Sequence, residues 1–293
     1  MRILADILGR GSSPDRRRLP RLIIPGAMKA GTTSLFAYLQ GHPELTPSLE
    51  KEIHYFDMHY DRGPGWYARQ FPRCGAEAPG LAFESSPYYL FEPRVPARIR
   101  KLVPDVKLVV LLRDPVERAF SHYHNNLRLG REPLSFEDAL DAEPTRLAGE
   151  EDRLLSDPAS VSIAHRRYSY LQRGIYADQL VRWREYFAAE QMLVIDAGRL
   201  FSDPGSVVAE VVAFLGLLPW APASFAPLNV GRHEATIRPE TRARLEAFFE
   251  PHQRRLEALI GWRPSPPRAA KTGSAAPFDG DRARRYNVTN VHS

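Results

Sequence analysis

The residues best suited to chemistry cluster early in the chain, in Leu22-Ile23-Ile24-Pro25-Gly26-Ala27-Met28-Lys29-Ala30-Gly31-Thr32-Thr33-Ser34. The apolar run reads as a buried strand. Gly26 and Gly31 bound a loop, and Leu35-Phe36-Ala37-Tyr38-Leu39 begins a helix. A glycine loop that feeds a helix N-terminus cradles anions, because the first-turn amides lack intrahelical acceptors and the helix dipole favours negative charge there. The spacing nearly matches the nucleotide-triphosphatase loop G-x-x-x-x-G-K-[ST]. Here Thr32 stands in place of the lysine, and Lys29 lies two residues before Gly31. A lysine moved along the loop meets a different part of the bound anion. The chain holds only 5 Lys against 35 Arg, so a lysine inside this loop is poorly explained as filler. Its compact ammonium suits contact with a single oxygen. Lys29, Ala30, Gly31, Thr32, Thr33 and Ser34 are therefore the first candidate ligands of a phosphate-type group.

A second constellation follows the apolar run Lys107–Leu112. Arg113 stands at its carboxyl end, and Ser121 lies two turns into the next helix. A guanidinium fork with a hydroxyl suits a phosphate monoester. The competing reading pairs Arg113 with Asp114 or Glu117 at the helix start. A third is Glu50-Lys51-Glu52-Ile53-His54-Tyr55-Phe56-Asp57. A carboxylate beside a cationic loop can take a proton from an attacking hydroxyl. A solvated charge run is the alternative, but Tyr55-Phe56 marks the segment as half-buried.

These motifs resemble the sulfotransferases that use 3′-phosphoadenosine 5′-phosphosulfate (PAPS). The likeness is to the carbohydrate branch, the heparan sulfate sulfotransferase domains and their bacterial relatives, and runs from about Leu22 to Trp262. The resemblance implies that the Gly26–Ser34 loop holds the 5′-phosphosulfate and that Arg113 and Ser121 grip the 3′-phosphate. It implies that Glu52 is the catalytic base, that Lys29 stabilises the leaving phosphate and that His54 orients the acceptor. It further implies that Gly231 and Arg232 close over the nucleotide. Two departures stand out: Val230 precedes Gly231 where relatives carry lysine, and Ser85 follows Glu84 where a lysine is common. Glu84 and Tyr88 are expected beside the acceptor cleft or in a structural role. Arg166, Arg167 and Arg173 are either acceptor contacts or surface groups.

The implied reaction moves a sulfuryl group from PAPS, as co-substrate, to a hydroxyl or amine of a carbohydrate or glycoconjugate acceptor, with no metal required. The rivals are a P-loop-like kinase or NTPase, which lacks its lysine after Gly31, and a non-catalytic nucleotide-binding protein. Positioning and electrostatic stabilisation would supply most of the rate, as in phosphoryl transfer.

The elements that must position these groups are legible as alternating strands and helices. Apolar runs at Leu22–Ile24, Leu81–Phe83, Lys107–Leu112 and Met192–Ile195 predict buried parallel strands. Helical spacing predicts helices over Thr33–Gln40, Pro93–Leu102, Pro115–Leu129, Tyr176–Glu190, Pro204–Leu217 and Pro239–Ile260. The expected fold class is α/β: one P-loop-like domain with a central, mostly parallel sheet flanked by helices on both faces. Ligands then sit at the carboxyl ends of the strands.

The chain of 293 residues has a net charge of +5, placed unevenly. Residues 1–21 carry six Arg against two Asp, and 263–293 carry five Arg and one Lys against two Asp, so each end is +4 and the body about −3. The ends read as flexible basic segments around a sulfotransferase domain at 22–262. A basic face within the fold, as nucleic-acid binding requires, is not indicated. Cys74 is the only cysteine, which excludes an intrachain disulfide and a cysteine metal site. No apolar run approaches the roughly 18 residues of a membrane span. The lone cysteine and the lack of a span-length apolar run lead to the expectation of a cytoplasmic protein, with peripheral membrane contact by residues 1–10 as a minor alternative, and the resemblance implies a bacterial-type member of the family. Acceptor identity and oligomeric state are not legible.

Overall fold

The computed structural model describes residues 19–73, 80–226 and 236–264. Its sheet has β1 (Leu22–Gly26), β2 (Leu45–Pro47), β3 (Leu81–Ser85), β4 (Lys107–Leu112) and β5 (Met192–Asp196). The order is β2-β3-β1-β4-β5, and every pairing is parallel. Strands buried on both faces need unbroken apolar sequence rather than alternation, which is why Leu22-Ile23-Ile24 and Leu108-Val109-Val110-Leu111-Leu112 are continuous. Both runs are fully buried. β2 is the strand that the apolar runs do not predict. It has three residues, ends in Pro47 and pairs only with β3, at the sheet edge.

The helices are α1 (Thr32–Leu39), α2 (Tyr55–Met58), α3 (Gly63–Ala68), α4 (Val95–Leu102), α5 (Pro115–Arg128), α6 (Phe136–Leu147), α7 (Glu150–Ser156), α8 (Ile163–Arg167), α9 (Tyr176–Arg184), α10 (Ala197–Ser202), α11 (Pro204–Leu215) and α12 (Pro239–Ile260). Six of them, α2, α3, α6, α7, α8 and α10, are not predicted by periodicity. Most are too short to show a 3.6-residue repeat. α6 is long enough, but Pro144 interrupts its pattern; its start is marked by Ser135, whose hydroxyl accepts from Asp138 N at 3.2 Å. α9 ends at Arg184, short of the predicted Glu190, because the chain turns to bury Phe187 against Trp183.

One apolar core surrounds the sheet, and a second lies among α5, α6 and α12, around Phe120, Phe136, Tyr170 and Phe249. β1 sits centrally, between β3 and β4. The chain winds first to one side of β1 and then to the other, so the carboxyl ends of β1 and β4 form the crevice where such sheets bind ligands. The predicted strand-end motifs fall there.

Candidate active site

Three elements converge at the carboxyl ends of β1, β3 and β4. The first is the loop from Gly26 to Gly31. Gly26 has to be glycine for packing: a Cβ there would lie 2.6 Å from Leu90 Cβ. Gly31 has to be glycine for conformation, with φ +91° and Leu200 and Phe201 3.0 Å from where its Cβ would be. This residue caps α1 without a side-chain hydrogen bond, and the first intrahelical bond is Leu35 N to Gly31 O at 3.1 Å. The amides of Thr32 and Thr33 precede that bond and point out of the helix end. Ala30 is fully buried beneath the loop, and the Ser34 hydroxyl is engaged with Tyr38. Of the residues predicted here, Thr32 and Thr33 thus offer helix-end amides and hydroxyls, Ala30 and Gly31 shape the turn, and Lys29 brings the charge.

Lys29 has φ +70°. Its ammonium is pushed down to about 8 by burial first, then by the positive charges of Arg128 and Arg113, with Glu52 acting in the opposite sense. An anion in the loop would reverse the unfavourable part of that balance. The cradle therefore fits a phosphosulfate on two independent grounds, an open helix end and a cation held among other cations.

The second element is β4 and its exit. Arg113 Nη1 donates to the carbonyl of Lys29 at 3.1 Å, and the Tyr176 hydroxyl donates to the carbonyl of Arg113 at 2.8 Å. Burial lowers the guanidinium's proton affinity. Asp114 is spent on capping α5, accepting from Glu117 N at 2.9 Å, while Glu117 lies 3.7 Å from Arg113 and 2.6 Å from Arg242. Among the described residues, the carboxylate that pairs with Arg113 is thus the distant Glu117. Ser121 is buried on α5, two turns further along.

The third element is the segment from Glu52 to Asp57, laid across the end of β3. Glu52 N donates to Ser85 O at 3.0 Å, His54 N to Ser86 Oγ at 3.3 Å, and Phe56 N to the Tyr89 hydroxyl at 3.3 Å. Ser86 in turn donates to Glu84 at 2.9 Å, and Tyr67 donates to the same carboxyl. Burial raises Glu84 to about 7, against the pull of those two hydrogen bonds. Glu84 and Tyr88 are buried, so neither lines a cleft; the Tyr88 hydroxyl bonds His165 Nδ1 at 2.7 Å. Ser85 is fully buried as well.

Glu52 and His54 carry φ +65° and +53°. Desolvation works to raise the Glu52 carboxyl, but Lys51 Nζ at 2.5 Å and His54 outweigh it and hold the group well below the usual carboxylate range. His54 Nε2 lies 3.6 Å from Glu52 Oε2, and Nδ1 lies 2.7 Å from Asp57 Oδ2. Burial disfavours the imidazolium, yet the Asp57 charge and hydrogen bond prevail and raise it to about 9. Asp57 is a site residue that the sequence reading passed over. Its i, i+3 spacing from His54 within a helical turn was the available signal.

Lys29, Glu52 and His54 are the non-glycine residues with positive φ among the described residues. Each such backbone costs about 1–3 kcal/mol and persists where surrounding structure over-determines it. The predicted Gly231 and Arg232 lie outside the described residues, as do most of the two basic ends. Arg173 is buried and donates to the carbonyls of His165 and Arg166 at 3.2 and 2.8 Å. It is a structural residue rather than an acceptor contact. No helix among the described residues is long and apolar enough to cross a membrane.

The family described as "Sulfotransferase domain" matches residues 19–221. The mouse heparan sulfate glucosamine 3-O-sulfotransferase 6 is 31% identical over 284 residues, covering 89% of this chain and 78% of that protein. A sulfotransferase from Alicyclobacillus acidocaldarius has a crystal structure that aligns with TM-score 0.65 and 33% identity, over 83% of this chain and 96% of that one. Mouse sulfotransferase SULT7A1, crystallised with PAP, aligns with TM-score 0.50 at 15% identity, over 85% and 89%, a likeness of fold. With the family model matching residues 19–221 and a relative 31% identical along most of both chains, this chain belongs to the sulfotransferase family and is an enzyme of that class.

Proposed function

We propose that the enzyme transfers a sulfuryl group from PAPS to a hydroxyl or amine of a carbohydrate acceptor of the heparan sulfate kind. The observation that carries this reading is that three strained residues meet through one carboxylate: the Glu52 charge acts on both Lys29 and His54. Strain in the loop at Lys29 and again in the Glu52–His54 turn, two separate segments brought to one crevice, is explained by chemistry better than by folding.

PAPS, when bound, supplies the sulfuryl group and a nucleotide leaving group. The amides of Thr32 and Thr33 and the α1 dipole hold the 5′-phosphosulfate. Arg113 and Ser121 hold the 3′-phosphate, which separates PAPS from ATP. Glu52, ionised throughout the neutral range, accepts the proton of the acceptor hydroxyl as its bond to sulfur forms. Lys29 neutralises charge on the departing phosphate oxygen. His54, kept in place by Asp57, orients the acceptor against Glu52. The catalytic work is positioning plus electrostatic stabilisation.

The test combines binding with transfer. Calorimetry should rank PAPS and the 3′,5′-bisphosphate well above ATP. Transfer of labelled sulfate from PAPS to heparan sulfate oligosaccharides should then depend on Glu52 and Lys29. Equal affinity for nucleotides with and without the 3′-phosphate would refute the nucleotide assignment. Undiminished transfer in both variants would refute the catalytic one.

A further inference from the structure

The Glu117 carboxylate stands between two arginines that come from different elements. Its Oε2 lies 3.7 Å from Nη2 of Arg113, at the exit of β4, and its Oε1 accepts from Nη2 of Arg242, near the start of α12, at 2.6 Å. The two distances mean different things. At 2.6 Å the contact to Arg242 is a hydrogen-bonded ion pair. At 3.7 Å Arg113 feels the charge but makes no hydrogen bond to it. Burial is the main pressure on the Arg113 guanidinium, and Glu117 is the foremost charge that opposes it. Arg113 Nη1 is engaged with the Lys29 carbonyl, so Nη2 is the part of the fork that Glu117 would take.

Arg242 reaches Glu117 from a fixed base. Its neighbour Thr241 is buried and donates to Glu137 at 2.7 Å, and Arg244 donates to Asp141 at 2.6 Å, so the start of α12 is tied to α6. Leu245 and Phe249 of the same helix join Val116 and Phe120 of α5 in one apolar cluster. The other terminal nitrogen of Arg242 lies 3.8 Å from Glu246, one turn along. An ion pair that only joined two helices at the surface would contribute little. This one has a second consequence, because its carboxylate also faces the guanidinium expected to take a phosphate. Without Arg242, the remaining cation beside Glu117 among the described residues is Arg113. The carboxylate would then close on Arg113, occupy a donor that the phosphate needs and repel its charge.

We propose that Arg242 is a positioning residue for the 3′-phosphate of the nucleotide: it draws Glu117 away from Arg113 and keeps the strand-end guanidinium open to a phosphate monoester. This rests on the role given to Arg113 under the proposed function. Arg242 need not touch the nucleotide, since it acts through Glu117. That route has a signature which a purely structural tie lacks. The loss caused by removing Arg242 is undone when the Glu117 charge is removed as well.

The test is calorimetry on the full chain with adenosine 3′,5′-bisphosphate and adenosine 5′-monophosphate, read as the ratio of the two affinities. Arg242→Ala should lower that ratio about tenfold, with affinity for the monophosphate kept within about twofold. Arg242→Gln, which keeps most of the side chain's length, carries the same expectation and serves where alanine impairs folding. Adding Glu117→Gln to Arg242→Ala should return the ratio to within about threefold of that of the unaltered enzyme. Arg242→Lys should keep most of the ratio, because charge is what draws Glu117 away. Glu117→Gln alone should leave it level or higher. Thermal unfolding of each variant reads the structural share of the Arg242–Glu117 pair separately. A ratio unmoved by Arg242→Ala and Arg242→Gln, a double variant as poor as Arg242→Ala, or a ratio that falls in Glu117→Gln would each overturn the proposal. The unaltered enzyme separates the two levels of the reading. Equal affinity for both nucleotides there removes the role of Arg113, and this proposal with it. A preference that persists undiminished in Arg242→Ala removes only the assignment of Arg242.

Discussion

Arg113 Nη1 donates to the backbone carbonyl of Lys29 at 3.1 Å, across 84 positions of sequence. The bond ties the exit of β4 to the loop after β1, so the two expected phosphate-binding segments form one surface. A single guanidinium braces the turn that presents Lys29, and under the proposed function its remaining donors serve the 3′-phosphate. That dual use shapes the expected behaviour of its variants.

Replacing Arg113 by alanine should weaken the 3′,5′-bisphosphate by about ten- to a hundredfold, the loss for a charge-assisted hydrogen bond. Affinity for the nucleotide lacking the 3′-phosphate should change far less. Arg113→Lys should recover charge but not the fork geometry, and so restore only part of the difference. Calorimetry with the two nucleotides checks this; equal losses for both would mean that Arg113 acts only by bracing Lys29.

Glu52→Gln preserves shape and removes the proton acceptor. Turnover should fall by about a hundredfold or more while nucleotide affinity stays within about twofold. Because Lys51 and His54 hold Glu52 far below neutrality, its titration should leave no acid limb in the pH–rate profile between pH 5 and 8. A limb in that range that disappears in Glu52→Gln would contradict the electrostatics described here.

Lys29 gives the opposite signature. Its ammonium is lowered to about 8, so the charged form needed for catalysis is lost as pH rises through that value in the free enzyme. The kcat/KM profile should therefore descend above about pH 8. Lys29→Ala should lower kcat by about a hundredfold or more and abolish that limb. A limb retained in the variant would assign the titration elsewhere.

Glu84 governs stability rather than rate. Burial raises its folded-state pKa to about 7 from an ordinary value of 4.5. The folded protein holds that proton more tightly than the unfolded chain, so the contribution is fully present below pH 4.5 and is lost as pH rises through about 7. Glu84→Gln should narrow the Tm difference between pH 6 and pH 8. An unchanged difference, measured by thermal unfolding, would show that Glu84 ionises freely in the fold.

Much of the site was legible because parallel strands announce themselves as continuous apolar runs, and glycines mark the loop after β1. Lys29, Thr32, Thr33 and Arg113 follow from those boundaries, whereas Glu52 was singled out by resemblance more than by spacing. Asp57 was not found, since a carboxylate in a four-residue helix looks like any other surface acid. Glu84 and Tyr88 sit at a strand end, a place that leaves a cleft role and a structural role equally open. Only packing reveals that Tyr67, Ser86 and His165 occupy them internally.

Local sequence determined the elements and the chemistry each one carries, because helix and strand periods, glycine turns and donor types are properties of neighbouring residues. The tertiary structure decided which of these groups face one another. The strand order put β1 between β3 and β4, and that alone brought Lys29, Arg113 and Glu52 to one crevice. It also set Arg166 against His54, 112 positions away. Contacts at such separations are fixed by how the whole core is buried, which no short stretch of sequence encodes.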